Sequence, residues 1–385
     1  MDLEKDEFTV GKNIKIFGVG GAGGNAVNAM IHFDLKGVEF IVANTNISDL
    51  QISSAKSKLQ LGKKLTKGLG AGSNPEVGRK AAEESKDEIM GHLDGAELVF
   101  IAAGMGGGTG TGAAPVIAHL AKEMGILTIG IVNRPFKMEG KKRMINAEKG
   151  IQKLKESVDT IIVVPNEKLR EEYPHMTVRD AFREADNILY QAAKAISDII
   201  NFSGYMNVDF ADVRTVTQNR GFALMGTGTS EGENRAVNAA REAMSNPLLA
   251  DIELENTAGL LINITAGEDF KMDEFEEITE VIVQKAGDEG DIITGLIFDK
   301  EIEGKIRVTL IATGLESSES KRPQIEVIKT DKKSSGADIS ELLKSLQKDN
   351  NFEKRKPYQN PATLNQQENK APKMDLPSFM RKFQN

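Results

Sequence analysis

Along the first half of the chain the apolar positions follow two alternating periods. Short, nearly continuous apolar runs at 13–19, 38–43, 98–103, 126–132 and 160–164 read as buried strands. Between them, 25–33, 76–90 and 113–124 carry apolar residues at helical spacing. Strands buried on both faces and linked through helices predict a parallel sheet covered on each side. From 178 to 201 the positions Val178, Phe182, Ala185, Ile188, Leu189, Ala192, Ile196, Ile199 and Ile200 line one helix face. Such a helix is about 36 Å long at 1.5 Å per residue and joins this domain to a second one. Beyond it, 259–265, 292–299 and 305–313 read as strands and 273–286 as a charged helix, giving a smaller α+β layer with a mixed sheet. After 330 Lys, Ser, Asn, Gln and Pro dominate, which predicts a disordered linker, with the spacing of a brief amphipathic helix at 337–348. Apolar content returns at 375–381, where Asp375-Leu-Pro-Ser-Phe-Met-Arg381, cut off from any domain, reads as a docking peptide.

Composition narrows the chemistry. The 385 residues contain no cysteine, which removes disulfides, thiolate metal sites and a cysteine nucleophile and suits a reducing cytoplasm. His32, His92, His119 and His175 show no metal-ligand spacing, so no protein metal site is assigned, and any metal is an oxygen-bound one such as Mg²⁺. The acidic first ten residues do not read as a signal peptide, and no run of about 18 apolar residues predicts a membrane span. Residues 317–385 carry 14 Lys/Arg against 9 Asp/Glu, leaving 35 against 48 on the rest. An acidic body argues against a nucleic-acid partner.

The chemistry concentrates in glycine-rich turns. At 104–112 the sequence GMGGGTGTG follows a buried strand and precedes a helix, with Pro115 expected in that helix's first turn. Converging backbone N–H groups, a helix dipole and missing Cβ atoms make such a turn an anion site, to which Thr109 and Thr111 add hydroxyls. No Gly-Lys-Ser/Thr follows, so the loop is not a Walker A motif. A second loop, GVGGAG at 18–23, also lies between strand and helix. A third, GLGAGSNP at 68–75, ends with Asn74 as N-cap and Pro75 at the first helical position. All three sit at the carboxyl ends of strands, where α/β sheets bind ligands. GxGxxG alone suggests an NAD-dependent oxidoreductase, but the second strand ends in Ala43-Asn44-Thr45-Asn46 without the ribose carboxylate that reading requires. Three phosphate-type loops suit a nucleoside triphosphate better.

These segments, together with PFKMEGKKR at 135–143, PNEKL at 165–169, NVDFADVRTV at 207–216 and MDLPSFMRK at 374–382, closely resemble the FtsZ family of tubulin-like bacterial cell-division GTPases. Asn133 and Met138 stand where the family pattern carries threonine and phenylalanine. The resemblance implies a tubulin-like α/β fold. Its segments would be a flexible start at 1–12, a GTP-binding domain at 13–177, a central helix at 178–203, an α+β domain at 204–329, a disordered linker at 330–372 and a docking peptide at 373–385.

It further implies that Gly20, Gly21, Ala22, Gly70, Ala71, Gly72, Gly106, Gly107, Gly108, Thr109 and Gly110 cradle the phosphates of GTP or GDP, with Mg²⁺. Glu139 and Arg143 would act on ribose and phosphate, Asn25 and Asn166 on base and sugar, Phe182 by stacking on the base, and Asp186 by reading guanine. Asn207, Asp209 and Asp212 would complete hydrolysis in trans on the nucleotide of the next subunit of a head-to-tail filament. Taken without the resemblance, Phe182 reads as a core residue, Asp186 as a solvated one, Glu139–Arg143 as a surface ion pair and 207–212 as a polar loop. The implied protein is cytoplasmic and gathers in a midcell ring at the inner face of the membrane. It would be tethered through 375–381 to an adaptor such as FtsA, without inserting into the membrane or binding nucleic acid. A tubulin-like filament that moves plasmid or phage DNA is the alternative.

Overall fold

The computed structural model describes residues 13–201, 208–246, 248–249, 254, 257–286 and 290–315. Asn207, the 337–348 segment and the 375–381 peptide lie outside them.

The first half alternates as the periodicity predicts. Strand β1 (Ile14–Val19) leads into α1 (Gly20–His32), and β2 (Val38–Asn44) into a short α2 (Ile47–Ile52), an edge strand β3 (Ser57–Gln60) and one turn of helix, α3 (Lys63–Thr66). Helices α4 (Pro75–Glu84) and α5 (Lys86–Leu93) precede β4 (Leu98–Gly104) and α6 (Thr109–Glu123). Then follow β5 (Leu127–Arg134), α7 (Lys141–Ser157), β6 (Thr160–Pro165), α8 (Asn166–Glu172) and the long α9 (Val178–Asn201). The second half comprises α10 (Phe210–Thr217), β7 (Gly221–Glu231), α11 (Arg235–Met244), β8 (Gly259–Ala266), α12 (Met272–Ala286), β9 (Asp291–Phe298) and β10 (Lys305–Leu315).

Among the described residues the strands form one ten-stranded sheet, in the order β3-β2-β1-β4-β5-β6-β7-β10-β8-β9. It is parallel from β3 through β7, antiparallel at β7–β10 and β10–β8, and parallel again at β8–β9. Successive residues of a strand face opposite sides, so Leu98, Phe100 and Ala102 join one core while Val99, Ile101 and Ala103 join another. The first core also takes Leu189, Ala192 and Ile196 of α9 together with Leu261 of β8 and Ile311 of β10. One helix thus seals a single face across both halves of the sheet. Each fully buried Leu or Ile in such a layer contributes about 1.5–3 kcal/mol.

Three expectations are corrected. Helices α1 and α6 start at Gly20 and Thr109, inside the glycine runs rather than after them. Pro115 therefore lies within α6 and not in its first turn. The helix expected over 76–90 breaks at Ser85, whose hydroxyl accepts from the N–H of Gly62 at 3.0 Å. Asn74 does cap α4, accepting from the N–H of Glu76 at 3.0 Å, with Pro75 in the first position.

Glycine makes the close crossing of α4 and α6 possible. A Cβ on Gly112 would stand 1.9 Å from the carbonyl oxygen of Pro75 and 2.6 Å from the N of Arg79, and backbone cannot move aside as a side-chain tip can. Gly112→Ala is expected to lower stability by about 1–3 kcal/mol or more in denaturant unfolding. Gly91→Ala on exposed α5, where a Cβ meets nothing within 4 Å, should raise it by up to about 1 kcal/mol. Equal effects at the two positions would show that helix propensity, not the crossing, governs Gly112.

Candidate functional site

Register places the carboxyl ends of the parallel strands at one edge. Val19 pairs with Ala43 and with Ala103, Gly104 with Asn133, and Asn133 with Val164. Every turn with candidate chemistry leaves from this edge. Gly20, at φ +74°, starts α1, and a Cβ there would lie 2.8 Å from the N of Gly110 in α6. A Cβ on Gly23 would meet Ala102 O at 2.3 Å, and one on Gly104 would meet Ala22 Cβ at 2.5 Å. The starts of two helices therefore pack backbone against backbone, and their free N–H groups and positive dipole ends converge on one patch.

The third loop is fastened to the same patch. Gly70 N–H and the Thr66 hydroxyl donate to Thr45 O, at 3.2 and 3.3 Å, and Ile47 N–H donates to Gly68 O at 3.1 Å. Thr45 and Thr109 share a buried hydroxyl hydrogen bond of 2.6 Å, tying the end of β2 to the start of α6. Ala71 Cβ would lie 2.8 Å from a Cβ on Gly108, and Gly106 N–H donates to the Thr111 hydroxyl at 2.8 Å. Gly20, Gly21, Ala22, Gly70, Ala71, Gly72 and the 106–110 turn are thus brought together.

Arg143 connects this patch to a second one. Gly106, at φ +102°, leaves room for it, since a Cβ there would meet Arg143 Cγ at 2.6 Å. Arg143 Nε pairs with Glu139 at 3.1 Å, and the other Glu139 oxygen accepts from Phe136 N–H at 2.9 Å. Phe136 is buried and receives the edge of the Phe182 ring at 5.2 Å between centroids and 80° between planes. Phe182 keeps 41% of its surface exposed, so it is not the core residue that its spacing suggests. One turn along α9 stands Asp186, whose carboxyl is pushed up to about 7 by burial. Beside this group Lys137 N–H donates to Glu167 at 2.9 Å, which holds that carboxyl below its ordinary value, an effect reinforced by Arg170.

Two features of this edge call for a ligand. Among the described residues the side-chain oxygens of Asn133, near the end of β5, and Asn166, just after β6, are buried without a hydrogen-bond partner. A buried amide oxygen left unpaired is costly unless something arrives to donate to it. Asn25, on α1, is exposed.

Asp209 and Asp212 stand apart from all of this. They begin α10, which packs against β8, β9 and α9, toward the sheet end opposite β2. Both are exposed, and Asp212 accepts from Asp209 N–H at 2.9 Å as part of a capping box. Sequence reasoning also missed Asp49. Apart from chain neighbours and the helix's own backbone, Asp49 Oδ2 is the one described atom within 4 Å of a Cβ built on Gly21. The signal was Asn46 followed by Asp49, a helix cap with an acid in the first turn of α2.

The comparisons with known proteins agree with this geometry. The profile of the Tubulin/FtsZ family GTPase domain matches residues 13–174, and that of the FtsZ family C-terminal domain matches 221–316. An FtsZ from M. jannaschii, solved as an empty dimer, is 41% identical, with a TM-score of 0.76 over 80% of this chain and 89% of its own. The chain belongs to the FtsZ family. Its GTPase domain makes it a GTP-binding and GTP-hydrolysing protein, which sets the oxidoreductase reading of GxGxxG aside. Two Haloferax volcanii proteins share the fold at lower identity. CetZ2, solved as a GTPγS-bound protofilament, is 23% identical with a TM-score of 0.69 over 80% of this chain and 94% of its own. CetZ1, a GDP-bound monomer, is 21% identical with a TM-score of 0.70 over 79% and 95%. No described helix of this family member is long and apolar enough to cross a membrane.

Proposed function

We propose that this FtsZ-family GTPase assembles head to tail into filaments that organise bacterial division, and that each bound GTP is hydrolysed with help from the next subunit. The observation that carries the reading is the separation of Asp209 and Asp212, exposed on α10, from the phosphate edge on β1, β4 and α6. A subunit stacked on that edge would bring a neighbour's α10 over the nucleotide. Exposed apolar side chains flank the edge and suit burial in such a contact: Ile47 at 46%, Leu65 at 47% and Leu69 at 86% exposure. A surface patch that docks on a different patch of the next copy does not close and gives filaments.

Within one subunit the roles follow from chemistry. Backbone N–H groups of Gly20, Gly21, Ala22, the 70–72 loop and Gly106 to Gly110 receive the phosphates, with Arg143 alongside. The amide oxygens of Asn133 and Asn166 accept from ribose or base, Asn25 completes that side, and the exposed face of Phe182 stacks on guanine. Asp186 accepts from guanine N1–H and the exocyclic amine, donors that adenine does not present together. From the adjacent subunit, Asp209 and Asp212, with Asn207, orient the water that attacks the γ-phosphorus as the bond to the β-phosphate oxygen breaks. Mg²⁺ would neutralise phosphate charge when bound. Among the described residues no group of three His, Cys, Asp or Glu could hold it, and phosphate oxygens and water would supply most of its ligands. The 375–381 peptide would tether filaments to a membrane adaptor such as FtsA, placing them in a ring at the inner face of the membrane.

Two outcomes are expected. Only ionised Asp186 can accept both guanine donors, so GTP affinity should be constant above pH about 7.5 and fall as the pH drops through about 7, because a proton must leave before binding. Asp186→Asn should flatten that profile and weaken binding by about 1.5–3 kcal/mol. A wild-type affinity unchanged between pH 6 and 8 would remove Asp186 from the base site. For the shared site, Asp212→Ala should bind GTP normally, hydrolyse it poorly and form persistent filaments by light scattering. Wild-type phosphate release per subunit should rise above an assembly threshold. Full turnover in dilute, monomeric protein would show that each subunit acts alone.

A further inference from the structure

We propose that Asp49 is the carboxylate this chain sets against the divalent cation of its bound nucleotide, held in position by Asn44 and Asn46. The inference rests on the reading that guanine-nucleotide phosphates lie on Gly20, Gly21 and Ala22. Asp49 belongs to α2, just after β2 ends at the phosphate edge. Its Oδ2 accepts from Asn44 Nδ2 at 3.0 Å and its Oδ1 from Asn46 Nδ2 at 3.2 Å. Asn46 N–H in turn donates to Asn44 Oδ1 at 3.2 Å, and Asn44 is only 2% exposed on the strand end. Two side chains, themselves linked, therefore fix the direction of one carboxylate.

What that carboxylate faces gives it a use. Apart from its chain neighbours and its own helix backbone, a Cβ on Gly21 would have one described neighbour within 4 Å, Asp49 Oδ2 at 3.6 Å. Gly21 is exposed, and 3.6 Å is ordinary contact distance, so the carboxylate borders this glycine at the rim of the edge. Both donors to Asp49 are neutral amides, and among the described residues no ion pair neutralises it. Each oxygen accepts one hydrogen bond and keeps lone pairs for another partner. A fixed anion at the rim of a polyanion site repels the ligand unless a cation stands between them. A hard divalent cation that takes one carboxylate, phosphate oxygens and water fits this arrangement. A lysine or arginine in place of Asp49 would neutralise phosphate directly; a carboxylate makes the site cation-dependent. The competing role is a purely local one, in which Asp49 only supports the first turn of α2.

Binding of GDP and of a non-hydrolysable GTP analogue to the full chain, with Mg²⁺ and with EDTA, separates the two roles. For the wild type, Mg²⁺ should tighten binding of the analogue. Asp49→Asn preserves size and hydrogen-bonding reach while removing the charge. It should lose about 10-fold of the Mg²⁺-dependent gain, yet bind the analogue in EDTA at least as tightly as the wild type. Mn²⁺ paramagnetic resonance on the GDP-loaded proteins should show weaker Mn²⁺ retention in the variant. Asn46→Ala, which loosens Asp49 without removing it, should fall between the two and serves if Asp49→Asn folds poorly. The same ratio of Mg²⁺ to EDTA affinity in the wild type and both variants would overturn the proposal and leave Asp49 as a helix-start residue. Failure of the wild type to bind either nucleotide would instead defeat the nucleotide reading beneath it.

Discussion

The approach of two helix starts without side chains between them is the constraint on which the rest depends. Gly20 lies against Gly110, Gly23 against the carbonyl of Ala102, and Gly104 against Ala22, each at a distance a Cβ would forbid. Because the backbones touch, the unpaired N–H groups of α1 and α6 open onto a common patch and their dipoles add. Gly112 lets α4 cross α6 at the same level, which draws the 68–75 loop in behind its capped first turn. Backbone amides held in this way provide positive potential without a lysine and need little rearrangement when an anion arrives.

The side of the edge proposed to take the base works by the opposite logic, accepting local instability. Asp186 is desolvated with no described partner, and Asn133 and Asn166 bury amide oxygens that no described residue satisfies. A carboxyl whose folded value is raised takes up a proton on folding, so it favours the folded state less as the pH rises from about 4 toward about 7. A charged group in the second half is compensated instead. Arg235, buried between α11 and α12, bonds Glu274 at 2.7 and 2.9 Å and Asp269 at 2.6 Å, and both carboxyls are held low.

Much of this was legible in the chain. Continuous apolar runs located β1, β2, β4, β5 and β6 but not the edge strand β3, the nine-residue apolar stripe located α9 to the residue, and the Asn74-Pro75 pair marked a helix start correctly. The misses have physical causes. Glycine has weak helix propensity, so the runs at 20–24 and 108–112 read as loops, although tertiary packing makes them the first turns of helices. Strand β7, at Gly221–Glu231, mixes glycines and threonines because α11 presses on it, and a Cβ on Gly226 or Gly228 would meet α11 backbone at 2.0 and 2.2 Å. The phosphate loops were visible because glycine density is local. Asp49 was not, because its place beside Gly21 arises from the pairing of β1 with β2. Phe182 read as a core residue and Asp186 as a solvated one; the contact of Phe182 with Phe136 and the burial of Asp186 arise only in the fold.

The central claim is that backbone amides of two glycine-built helix starts, and the loop fastened to them, hold the nucleotide phosphates. Amide hydrogen exchange followed with and without GDP tests it at the atoms concerned. Slowed exchange should be confined to 20–24, 70–72 and 106–112, with a second set at 133–143 and 166 where ribose and base lie. Protection that spared the glycine segments and fell in the cleft between α9 and β7 would contradict the account.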